Sequence, residues 1–167
     1  MRGSVASVLA LTSGGFVPAL AADCPVERAV YAEAELSTEL RFEPASAENS
    51  PVTHRFTMVA SGKAGEAEGH VFYDLEIERP VSTILRDCPE GDVTGADLAA
   101  CTVWKGIIYG VDQATGHVDL LPPEGAAAPD QLLLPGFGPA VAASSLGQAF
   151  DGMPWDVFSY KECAPKG

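Results

Sequence analysis

Basic residues are scarce in this chain: 10 Lys and Arg stand against 23 Asp and Glu among 167 residues, a formal net charge of −13. A phosphate backbone is held by neutralising it with Lys and Arg, so no nucleic-acid partner is expected. The same sign works against an anionic membrane surface. Long apolar runs are also missing. Gly14, Gly15 and Pro18 interrupt the first one, and no second stretch reaches the roughly 20 residues of a membrane span. Cysteine pairs of the C-x2-C kind are absent, which removes the usual four-thiolate zinc site. No Ser lies in a G-x-S-x-G elbow. No βαβ rhythm occurs, so a nucleotide-binding parallel sheet, and with it a cofactor, is not expected. The 17 Gly fall far below the one-third of a collagen, and the 47% apolar content is too high for a disordered chain.

What is present begins with an address. Arg2 opens a short apolar stretch that ends in Ala19-Leu20-Ala21, the layout of a secretory signal peptide. The expected cut follows Ala21, with Ala22 as the next choice. A retained anchor is the competing reading, disfavoured by the interrupted run. Residues 1–21 are therefore read as the leader and 22–167 as a single β-rich domain, periplasmic or secreted, with no stable membrane insertion after cleavage. Cys24, Cys88, Cys101 and Cys163 all lie beyond the cut, and an even count in an exported chain reads as two disulfides. The expected pairs are Cys88 with Cys101 and Cys24 with Cys163. Chain entropy gives the local loop about 3 kcal/mol and the chain-spanning one about 4–5 kcal/mol.

Residues 30–43 alternate with period two. Ala32, Ala34, Leu36, Thr38, Leu40 and Phe42 fall on one face, and Glu33, Glu35, Ser37, Glu39 and Arg41 on the other. That spacing predicts one strand, with a helix as runner-up because Ala-Glu-Ala-Glu is poor strand material. After a loop over 43–52, alternating rows at 54–60 and 71–78 predict a hairpin across a Gly-rich turn at 61–69. Pairing Met58 with Val71, Phe56 with Tyr73 and His54 with Leu75 puts both apolar rows inward and sets Arg55 opposite Asp74. Pro80 predicts that 81–86 is an edge strand at best. Thr94-Gly95-Ala96-Asp97 reads as a capping box opening one short helical turn.

Residues 101–111 are apolar on both faces and predict a covered strand. It returns through Asp112-Gln113-Ala114-Thr115-Gly116 into Val118 and Leu120, opposite Val111 and Tyr109. Tyr109, Asp112 and Thr115-Gly116 resemble one hairpin of a quinoprotein-type propeller repeat. No second copy follows, so the stretch is read as a turn only. A buried anchor at Leu132-Leu133-Leu134 and a last strand over 155–160 complete the chain. The expected fold is all-β and mainly antiparallel: a small disulfide-bonded sandwich or barrel of six to eight strands.

Candidate chemistry is thin. His54, His70 and His117 are the available bases, and disulfides consume the thiols, so no catalytic residue is assigned. His117, Asp119 and Asp112 flank one turn without a further metal ligand. Glu90, Asp92 and Asp97 form the densest oxygen cluster, yet lack the order of an EF-hand, so no metal is expected. The carboxylate pairs Glu33 with Glu35 and Asp74 with Glu76 read as solvated faces. The remaining candidate is a surface of Val59, Phe72 and Thr57 rimmed by Arg55, Asp74 and Glu76, unless a second sheet covers it. The expectation is an exported acidic binding or accessory protein for an unknown protein or small ligand. The alternatives are an inhibitor of a basic secreted hydrolase (lysozyme or protease) and a hydrolase using one histidine.

Overall fold

The computed structural model describes residues 21–45, 50–60 and 65–165. The expected leader up to residue 20, part of the loop after Glu43 and the tip of the Gly-rich turn at 61–64 lie outside the described residues. Ten strands make one antiparallel sheet: β1 Ala29–Ala32, β2 Glu39–Glu43, β3 Val52–Ala60, β4 Gly65–Asp74, β5 Arg79–Leu85, β6 Thr102–Gly106, β7 Tyr109–Val111, β8 Val118–Leu120, β9 Gln131–Leu133 and β10 Val157–Cys163. Two helices accompany them, α1 Gly95–Cys101 and α2 Phe137–Ala143.

The sheet order is β6-β5-β4-β3-β2-β1-β10-β9-β7-β8. Strands β6 and β7 are joined through only Ile107 and Ile108, a reach of about 10 Å. In a flat sheet, eight strand spacings would hold them roughly 38 Å apart. The sheet therefore curls into a half-barrel around one core. Trp104 of β6 meets Phe137 of α2 at 6.3 Å, and Phe137 meets Phe158 of β10 at 5.3 Å, so the aromatic chain spans the interior. The Trp104 indole N–H donates to the Pro135 carbonyl at 3.2 Å, closing that side.

The strand count exceeds the expected six to eight for definite reasons, and no second sheet exists among the described residues. The alternating segment 30–43 is two strands, β1 and β2. Ser37 takes φ +52° between them, and Glu33 turns inward, 2% exposed, instead of facing water. Inward parity flips at the turn: Tyr31 is buried on β1, Leu40 and Phe42 on β2. The apolar segment 101–111 is also two strands, broken after Gly106, and the anchor at Leu132 is a strand of its own. The single expected helical turn is α1, and α2 was not expected.

Two further corrections concern β3, β4 and β5. The hairpin keeps His54, Phe56, Met58 and Val71 inward but shifts register by four residues: Met58 pairs with Ala67, Phe56 with Gly69 and Arg55 with His70, while Asp74 faces Arg79. Leu75 and Ile77, expected in the inward row, are exposed in the turn after β4. The cause is that Gly65, Ala67 and Gly69 belong to the strand and not to the turn. A Cβ at Gly69 would stand 2.2 Å from the Phe56 ring, so the glycine makes room for that side chain. Strand β5 is internal, between β4 and β6. Pro80 is tolerated because β6 pairs only from Ser82 onward, leaving no strand on that side of Pro80 to receive an N–H.

Disulfides join Cys24 to Cys163 and Cys88 to Cys101. The first ties the approach to β1 to the end of β10, and the second fastens the end of α1 to the chain leaving β5. No helix among the described residues is long and apolar enough to cross a membrane. Two disulfides fit an oxidising compartment.

Candidate functional site

The chain after β6 has an unusual charge pattern. Between Lys105 and Lys161 no Lys or Arg occurs, while Asp112, Asp119, Glu124, Asp130, Asp151 and Asp156 do. This segment supplies β7, β8, β9 and the start of β10, so one part of the sheet carries acid without base. Lys161, which ends the stretch, is held by Glu39 at 2.6 Å. That contact, with Arg41 also on Glu39, lowers the Glu39 carboxyl below its usual range and raises the Lys161 ammonium.

Strand alternation decides what this part of the sheet shows outward. Phe158, Leu132 and Gly110 are aligned and buried. Their neighbours form an outward row across four strands: Val157 opposite Leu133, Leu133 opposite Tyr109, Tyr109 opposite Leu120. The next row outward is Ser159, Gln131, Val111 and Val118. Trp155, two residues before Val157, continues the outward parity and is 63% exposed, against 3% for Trp104.

The backbone at Trp155 is held on three sides. Its N–H donates to Glu33 Oε1 at 3.4 Å, and the same carboxylate accepts Glu35 N–H at 2.9 Å and Leu36 N–H at 2.7 Å. Asp156 accepts from Gly136 N–H at 2.7 Å and Gly138 N–H at 2.9 Å, capping α2 where Gly136 takes φ +74°. Pro154 packs so closely on α2 that a Cβ at Gly138 would stand 2.1 Å from its carbonyl oxygen. Beside Trp155 runs an open groove of about 260 Å³, lined by Glu33, Glu35, Gln131, Val157 and Ser159. Gln131 Nε2 donates to Ser159 Oγ at 3.1 Å on its wall.

The residues singled out from the sequence fall elsewhere. Val59 lies opposite Glu66 near the hairpin turn, whereas Phe72 lies opposite Val52 and Val81, so they are about 23 Å apart along the sheet. Both are partly buried on the outer face, with Thr57 between them and Asp74 at the far end. The four-residue shift separates them into no common patch. Glu90 and Asp92 are exposed on the disulfide loop, and Asp97 is taken by the capping box, accepting Thr94 N–H at 3.0 Å. Hydrogen bonds from Thr94 hold the Asp97 carboxyl below its usual range. No three His, Cys, Asp or Glu converge as metal ligands among the described residues.

Asp74 accepts Glu76 N–H at 2.9 Å and so fixes its own turn instead of pairing with that carboxylate for catalysis. His117 lies 3.7 Å from Asp119 on an exposed rim, beside a cleft of about 400 Å³ walled by Pro122, Pro123 and Pro129. His54 is buried, and its Nε2 lies 2.9 Å from the Pro122 carbonyl, which can only accept, so that nitrogen carries the proton. Thr53 Oγ1 lies 3.1 Å from Nδ1 and 3.2 Å from the Val71 carbonyl, within the strand hydrogen bonding of β3 and β4. His70 faces outward between Arg55 and Thr83 in the register. The outward Trp155 surface is thus the candidate with the most built-in support. No family model, no curated protein and no solved structure matches this chain.

Proposed function

We propose that the protein is an exported, acidic, disulfide-bonded binding or accessory module, periplasmic or secreted, and that it recognises its partner through the outer face of β8, β7, β9 and β10 around Trp155. The observation that carries this reading is a tryptophan whose backbone is anchored by Glu33, Asp156 and α2 while its side chain stays in water. Rigid aromatic anchors of this kind bind without a large ordering cost. The adjoining outward row of Val157, Leu133, Tyr109 and Leu120 extends the contact area. The test immobilises the oxidised full chain and passes exported proteins of its host over it. A partner is retained at low salt, and Trp155→Ala and Val118→Asp each release it. Retention of nothing, or equal retention by both variants, refutes the reading.

A second reading, inhibition of a basic secreted hydrolase, is favoured by the stretch without Lys or Arg between Lys105 and Lys161. An acidic face steers toward a cationic enzyme and loses rate as salt rises. Titration of a lysozyme and of basic proteases with micromolar protein checks it, and unchanged enzyme activity removes it.

A further inference from the structure

The groove between Glu35 and Trp155 has a chemistry narrower than a general apolar surface. Its polar side chains include the Glu35 carboxylate, the Gln131 amide and the Ser159 hydroxyl. The Glu35 side chain has no hydrogen bond or ion pair among the described residues, and Gln131 spends an N–H on Ser159, leaving its carbonyl oxygen for a ligand. One wall is an exposed indole. The nearby cations, Arg41 and Lys161, are both bound to Glu39. Acceptors, a carboxylate and an indole face together suit a ligand group that is planar, cationic and rich in donors. A guanidinium has five N–H donors and no acceptor, binds carboxylates through two parallel bonds and stacks on aromatic faces. The Glu35 carboxylate disfavours an anion here.

We propose that this groove receives an arginine side chain of a basic partner protein, with the guanidinium stacked on Trp155 and hydrogen-bonded to Glu35 and Gln131. The proposal rests on the binding reading above and adds the chemical identity of the group recognised. Glu33 acts behind the groove as a positioning residue: it fixes the turn that carries Glu35 and the backbone that carries Trp155. A lone guanidinium at such a site binds weakly, and the rest of the face supplies the remainder of the affinity.

The experiment titrates the ¹⁵N-labelled, oxidised full chain with acetyl-Gly-Arg-Gly-amide. Controls are the same peptide carrying citrulline, which keeps the shape without the charge, and methyl β-glucoside, which would stack on an indole as a sugar. The arginine peptide is expected to shift the Trp155 indole and the Glu35 and Gln131 resonances saturably, leaving the buried Trp104 indole in place. Citrulline binds about ten-fold more weakly, and Glu35→Gln and Trp155→Ala each cost about ten-fold, with Trp155→Phe retaining part of the affinity. The proposal is overturned if citrulline or the glucoside saturates Trp155 as well as arginine does. Insensitivity to Glu35→Gln, or no saturable shift with the arginine peptide, overturns it too. Such a failure leaves the binding reading standing if the partner retained above is still released by Val118→Asp.

Discussion

Replacing Glu33 probes the least expected feature of the fold. Its carboxylate is buried and accepts three backbone N–H groups, from Glu35, Leu36 and Trp155. In Glu33→Gln the amide presents a single oxygen. If that oxygen keeps Leu36 N–H, the amide N–H₂ confronts the donors of Glu35 and Trp155; if it flips, Leu36 is left facing a donor. One or two bonds are lost either way, and the survivors lose their charge assistance. At about 1.5–3 kcal/mol per hydrogen bond to a charged group, a net loss of about 2–4 kcal/mol follows. Glu33→Ala leaves all three donors unpaired and should cost about 3–5 kcal/mol. At the size scaling of roughly 2–4 °C per kcal/mol, Glu33→Gln lowers Tm by about 5–15 °C. The assay is guanidinium and thermal unfolding with both disulfides intact, Glu35→Gln serving as the exposed control within about 0.5 kcal/mol. Iodide quenching of the exposed Trp155 fluorescence gives a second readout, because loss of the anchor frees its backbone. If Glu33→Gln unfolds within 0.5 kcal/mol or so of the parent, the carboxylate does not hold the turn, and a continuous strand with Glu33 in water becomes the better account.

Other substitutions test the packing. Gly69→Ala should lose about 1–3 kcal/mol, because its Cβ would displace the Phe56 ring; an unchanged denaturation midpoint would show that the register is not set by that contact. Replacing Cys88 and Cys101 together by Ser should cost about 3 kcal/mol, and replacing Cys24 and Cys163 about 4–5 kcal/mol; the reverse order in urea unfolding would contradict the loop-length argument. Burial holds the His54 imidazole below its usual value of 6.5, against the opposing pull of the Pro122 carbonyl, Glu124 and Glu27. The unfolded chain therefore takes up the proton first. Stability is level above about pH 6.5 and falls as pH drops from there toward the folded-state value. His54→Gln should flatten that part of the pH profile, and a profile identical to the parent would refute the assignment.

Much of the strand content was legible because period two survives in β3 and β4 and turn chemistry marks the β7–β8 return. The inward rows His54, Phe56, Met58 and Val71 are buried as alternation requires, and Val111 does meet Val118 across the turn. The register was not legible. Moving β3 against β4 by four residues preserves every face, so hydrophobic pattern alone leaves such shifts degenerate, and the deciding contact is steric, between Gly69 and Phe56. The split of 30–43 was hidden for a different reason. A buried Glu satisfied by three backbone donors has the same letter as a solvated one, and alternation across a turn imitates alternation along a strand. The curl, likewise, follows from which strands pair, and a two-residue link between β6 and β7 has no signature in composition.

The candidate surface shows the opposite balance. Its two main signals stood in the sequence: the absence of Lys and Arg between Lys105 and Lys161, and the parity of the last strand. With Phe158 inward, Trp155, Val157 and Ser159 must face out together. A tryptophan on the outer side of a strand is costly to leave in water unless something else covers it. What the sequence could not disclose is that no second sheet among the described residues arrives to do so, because the ten strands are used in a single curled layer. The same topology that builds the core from one sheet therefore leaves its outer face available. The groove beside Trp155 adds the exposed Glu35 carboxylate, so a partner with basic side chains gains both by covering the indole and by meeting that charge.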